Sequence, residues 1–282
     1  MTLVRRHLVA AVLLVLALAT GIALGAGPLS RETLVPARAE PRQAPQPTEE
    51  SADELAEAVA PTVTRDQLSG RVFTVVSTPG ADEADVEALV EAAEQAGGDI
   101  TNRWQIGTSL VSASETALVD TLGEQMLEQL GSEVADADAP PYERMGQLLG
   151  AAVATRDERA QVVGDDATTI RQSLDAASLL TTSGEQPKTA PLVLVVLGDD
   201  VEDAVVEGLT AGLAQRARRV VVTADERPGD LQALEEAGVV STVDGADGAA
   251  GRMAAVLALA APVEDPPGSY GASGSDGAAP LG

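Results

Sequence analysis

Cysteine is absent from this 282-residue chain, and histidine occurs once, as His7. Without thiols there can be no disulfide and no thiolate metal site, and cysteine usage says nothing about the redox compartment. A lone imidazole at position 7 rules out a Ser-His-Asp relay, and any histidine-built metal site, in everything downstream. Aromatic side chains are nearly missing too, limited to Phe73, Trp104, Tyr142 and Tyr270. A core must therefore be packed from Ala, Val and Leu, which the 45% hydrophobic content allows. Lysine appears once, as Lys188.

Positive charge is scarce. The chain carries 18 basic against 44 acidic side chains, a formal net of −26. No acid precedes Glu32, whereas Arg5 and Arg6 lie at the amino terminus, so the rest sets 16 basic side chains against 44 acidic ones, a net of −28. Such a surface repels phosphate backbones and anionic lipid, which argues against nucleic-acid binding.

One long apolar run is present. Residues 8–27 contain no charge, and as a helix they would span about 30 Å, the thickness of a bilayer core. Arg5 and Arg6 flank the run as in a signal anchor. The small-x-small site Ala37-Arg38-Ala39 lies well beyond it, which favours an uncleaved anchor over a cleaved signal. The short amino tail favours residues 1–7 in the cytoplasm and the remainder exported, although Arg31, Arg38 and Arg42 on the other flank pull the opposite way. The expected location is the plasma membrane, single-pass, with an extracytoplasmic body and an outer-envelope association as a further option.

Residues 28–70 read as a proline-rich stalk. Pro28, Pro36, Pro41, Pro45, Pro47 and Pro61 oppose a continuous helix, leaving a short amphipathic piece near Asp53 to Val59. An exported α/β domain is expected over 71–262. Val72 to Val76 reads as a strand. A helix follows with Val86, Leu89, Val90 and Ala93 on one face, ended by Gly97-Gly98. Ile100 to Ile106 gives a second strand.

Ser112 and Glu115 fit a capping box, opening a helical insertion over 113–187. The unbroken apolar run from Leu192 to Leu197 predicts a central parallel strand covered on both faces. Further strands fall at Val220 to Val222 and Val239 to Val243, and a last helix at Arg252 to Ala261. The alternation predicts a mostly parallel sheet in three layers with a helical insertion, preceded by one N-terminal transmembrane helix. Residues 263–282, rich in Pro, Gly, Ser and Asp, are expected to be disordered.

Little in the sequence points to chemistry. There is no Gly-rich dinucleotide turn after the first strand and no phosphate loop, and Asp82, Glu83 and Asp85 would repel a phosphate there. Asp199 and Asp200 lie just past the best strand, where open α/β sheets bind ligands. They are weak candidates for a hard metal, set against helix capping by Asp199 and Glu202. Asp165 and Asp166 carry the same ambiguity. Met126, Met145 and Met253 read as core filler rather than a soft-metal site. No enzyme is expected, and no resident cofactor.

Several stretches carry a resemblance. The arginines and His7 precede an apolar run that ends Gly21-Ile22-Ala23-Leu24-Gly25-Ala26-Gly27-Pro28-Leu29. Gly70-Arg71-Val72 opens the first strand, followed by Thr78-Pro79-Gly80-Ala81 and Gln95-Ala96-Gly97-Gly98. Ser241-Thr242-Val243-Asp244 comes with Gly251-Arg252, and Ser269-Tyr270-Gly271 follows near the end. In order and spacing these resemble the actinobacterial MctB-like copper transporter family, almost end to end. The resemblance implies a membrane-anchored envelope protein of copper efflux or homeostasis, with copper ion as the transported or weakly bound species. It also implies envelope protein partners or a homo-oligomer, because some relatives serve envelope assembly and division. The family's coiled coil after the membrane helix is replaced here by the proline-rich stalk.

Overall fold

The computed structural model describes residues 49–184, 187–199, 201–225 and 231–280, with side chains from residue 53 onward. The expected membrane helix, Arg5 and Arg6 therefore lie outside the described residues, as does Asp200. The chain divides into two units, 1–55 and 56–282. The first is described only in its last helical residues.

Helix α1, Glu49–Val63, is longer than the piece read from sequence and holds Pro61 near its end. No proline interrupts residues 48–60, and Ala52, Ala56, Ala58 and Ala60 favour helix there. Pro61 removes one donor only. The turn closes beyond it, where Thr64 donates from both its amide and its hydroxyl to Ala60 O, at 2.9 and 2.8 Å.

The body is a seven-stranded sheet in the order β4-β2-β1-β6-β7-β8-β9. Its strands are β1 Val72–Ser77, β2 Asp99–Ile106, β4 Leu180–Ser183, β6 Leu192–Val196, β7 Arg219–Thr223, β8 Ser241–Val243 and β9 Ser269–Tyr270. Only the β2–β4 pairing is antiparallel. A separate ribbon pairs β3 Gln161–Val162 with β5 Lys188–Thr189. Every residue of β6 and β7 is buried, as an unbroken apolar run covered on both faces requires.

Strand side chains alternate between two cores. Phe73, Val75, Leu192, Leu194, Val196 and Val221 meet α2 Glu83–Gln95 and α9 Ala249–Ala260. Val76, Val193, Val195, Val220 and Val222 meet the opposite layer. That layer holds α4 Thr116–Leu130, α5 Pro141–Val153, α6 Asp165–Ala176, α7 Asp203–Ala214 and α8 Gln232–Ala237. The short α3, Thr108–Val111, leads into it. The sheet is thus mixed, mostly parallel, and covered by helices on both faces.

Three local expectations are corrected. Ser112 makes no capping box: a 3₁₀ turn, Ala113–Glu115, intervenes, and the Ser112 hydroxyl lies 2.7 Å from that of Ser114. The 113–187 segment is not helical throughout, because β4 joins the main sheet and β3 pairs with β5 just beyond the segment. The tail is ordered through residue 280, and β9 pairs with β8 through Thr242↔Ser269 and Val243↔Tyr270. Its composition is poor in large apolar residues, but acidic side chains satisfy part of its backbone.

Candidate functional site

In a parallel sheet, loops at the carboxyl ends of the strands gather where the strand order reverses, and ligands enter the crevice between them. Here that crevice would open between β1 and β6. It is sealed. Thr78 donates its amide to Val196 O at 3.0 Å, and its hydroxyl accepts from the Gly198 amide at 2.8 Å. A Cβ on Gly198 would sit 2.0 Å from Ala81 N and 2.3 Å from Pro79 O, so the two loops touch backbone to backbone. The apolar cavity beneath, bounded by Val76, Thr78, Ile106, Val195 and Leu197, is about 20 Å³, room for about one water.

Outside the sealed crevice the same edge is acidic. Asp82 follows β1 and caps α2, accepting from the Ala84 amide at 2.7 Å. Asp85 is pushed above the ordinary carboxyl value by partial burial, then by Asp82 and Asp247, with Arg252 opposing. Asp225, past β7, is raised by burial and by Asp85, Asp247, Asp199 and Asp82. Asp199 thus belongs to a diffuse rim fed by the loops after four parallel strands. Among the described residues, no three His, Cys, Asp or Glu side chains converge to hold a metal ion. Glu202 occupies the position before α7 and makes no side-chain cap bond. Asp165 and Asp166 lie in the first turn of α6, where the helix dipole favours them.

The signature residues do a different job. Asp244 is buried, 6% exposed, and its carboxylate accepts from the Ala272 amide at 2.5 Å, the Ser273 amide at 2.8 Å and the Ser273 hydroxyl. The Ser241 hydroxyl accepts from the Gly268 amide at 3.4 Å and from Arg219 Nη1 at 3.3 Å. Arg219 Nη2 also donates to Pro262 O, and to Asp265 O at 3.1 Å. Thr242 and Val243 supply the ladder to β9. Gly251 lets α9 approach its own entry turn, since a Cβ there would lie 2.0 Å from Gly245 O, and Arg252 donates to Asp247 O. The signature therefore moors the C-terminal segment and the start of α9.

The methionines are dispersed. Met126 and Met145 are buried in one core, while Met253 packs against the other. An opening of about 480 Å³ lies beside the end of α7, lined by Asp136, Asp138, Gln147, Gln215 and Arg216. Its groups are turned inward. Gln147 accepts from the Asp136 amide at 2.6 Å and donates to Gln215 at 3.1 Å, and Arg216 donates to Glu133 O and Val134 O. Sequence reasoning missed this lacework because its parts are far apart along the chain.

Fold and edge together define a doubly covered, mostly parallel α/β body with an acidic carboxyl rim, its crevice closed between β1 and β6 among the described residues. The chain belongs to the family described as "Copper transport outer membrane protein, MctB", whose model matches residues 1–281. It is 26% identical over 288 residues to the "Copper transporter MctB" of Mycobacterium bovis and of two Mycobacterium tuberculosis strains, covering 90% of this chain and 91% of each relative. No described helix is long and apolar enough to cross a membrane.

Proposed function

We propose that this protein is a membrane-anchored envelope component of copper efflux and homeostasis. The observation that carries the reading is the family match along essentially the whole chain. Residues 8–27 would supply the anchor, with the acidic body outside the cytoplasm. One anchor helix cannot line a channel, and a membrane barrel would need many alternating strands and aromatic girdles; conduction would then need further copies or partners. Copper ion enters as cargo. The rim aspartates, hard oxygen donors, would hold Cu(II) weakly at best, and Cu(I) prefers thiolate, thioether or imidazole. No catalytic step is proposed.

The test is a strain lacking the gene, challenged with copper and complemented by the full chain. Copper hypersensitivity reversed by complementation is the expected result, and unaltered tolerance would remove the proposal.

A second reading, a scaffold that binds envelope proteins without moving metal, is favoured by the placement of the methionines on opposite faces of the sheet. Calorimetric titration of the full chain with Cu(I) separates the two: tight binding argues against the pure scaffold, and silence favours it.

A further inference from the structure

The edge of the sheet beside β8 is covered by residues 262–280, and the way they are held differs from the rest of the fold. Along this stretch only Ser269 and Ala279 are buried, and no large apolar side chain is. Ala279 joins the core on the α2 and α9 face of the sheet and Tyr270 packs against it, and the rest of the attachment is made of hydrogen bonds. The Thr242 amide donates to Gly268 O at 2.9 Å and the Asp244 amide to Tyr270 O at 3.1 Å. The Asp244 carboxylate collects the donors of Ala272 and Ser273.

The outer side of β9 is finished within the segment itself. Asp276 accepts from the Ser269 amide at 2.9 Å and returns its own amide to Ser269 O at 2.9 Å. Gly271 turns at φ +114, where a Cβ would lie 1.7 Å from Asp244 Oδ1; only glycine lets the turn close over that carboxylate. The closed seam is also imperfect. Arg219 Nε is buried without a partner among the described residues, a cost that admitting water would relieve.

Regions with little apolar burial and many solvent-facing backbone bonds open at a fraction of the global free energy. We infer that residues 262–280 form a latch pinned by Asp244, which opens as a unit while the sheet stays folded and thereby uncovers the edge of β8. The prolines at 262, 266 and 267 confine the swing to the stretch between α9 and β9 by keeping it extended. The inference does not depend on copper.

Hydrogen exchange on the full-length chain tests it. The amides of Thr242, Ser269, Ala272, Ser273 and Asp276 should exchange at least about ten-fold faster than those of Val193 to Val196 in β6. Asp244→Asn should accelerate the latch amides about ten-fold further without changing β6. Ser273→Ala, at an exposed position that keeps the Asp244 carboxylate, should give a smaller acceleration confined to the same amides. Trp104 emission reports that the body remains folded in each variant. Latch amides that exchange in step with β6, or an Asp244→Asn effect spread equally over β6, would overturn the latch.

Discussion

At the rim, Asp85 and Asp225 are held against their own charge. Partial burial and neighbouring aspartates raise both above the ordinary 3.8. A carboxyl whose folded value is raised favours the fold fully below its unfolded value, and that contribution is lost as pH rises through the folded value. At neutral pH both carboxylates therefore detract from stability. Asp85→Asn should raise the melting temperature at neutral pH, and the gain should shrink as pH falls through the raised folded value and vanish below the ordinary 3.8. A melting series across pH that shows no such convergence would count against the rim. Gly198 is the other decisive residue. A Cβ there meets backbone of the facing loop at 2.0 Å, so Gly198→Ala should cost about 2–3 kcal/mol. Denaturant unfolding followed through Trp104, the single tryptophan, reads it directly.

Among the described elements, α5 and α7 pack backbone against backbone. Gly146 and Gly150 of α5 lie against Leu209 and against Leu213 and Arg216, while Gly208 and Gly212 of α7 lie against Tyr142, Glu143 and Gln147. A Cβ at Gly146 would lie 2.2 Å from Leu209 O, and one at Gly212 would lie 2.1 Å from Glu143 O. Backbones this close cannot admit a methyl without the helices separating. Gly212→Ala should therefore destabilise by about 1–3 kcal/mol despite alanine's better helix propensity, as equilibrium unfolding would show. The two four-residue glycine spacings are visible in the sequence, yet glycine reads first as a breaker. Other elements were legible from their apolar patterns. The one-sided face of α2 and the unbroken run of β6 both follow from burial geometry. β4 was not, because three of its four residues are exposed Thr or Ser and its place comes from pairing with β2. The C-terminal latch was hidden for a related reason: it is stabilised by carboxylates acting on backbone, which composition cannot reveal.

Across the whole molecule, charge is the dominant imbalance. The formal net is −26, far more than ion pairs such as Arg144–Asp120 at 3.0 Å and Arg218–Glu158 at 3.4 Å can offset. Self-repulsion on this scale is screened by salt. Raising ionic strength from low to about 0.5 M should lift the melting temperature, and a salt-independent melt would show that the acids are already compensated. The candidate site was only partly legible. Asp199 does reach the acidic carboxyl edge, but the crevice that would have made it a ligand site is closed by Thr78 and Gly198, a contact between segments about 120 residues apart. The signature around Asp244 was visible as a pattern, and its mooring role required coordinates.

The most direct measurement for the copper assignment is the copper content of cells, determined by elemental mass spectrometry after copper challenge in parent, deletion and complemented strains. Accumulation in the deletion strain, returned to the parental level by the full chain, is the predicted result. Equal copper content in all three strains would contradict it.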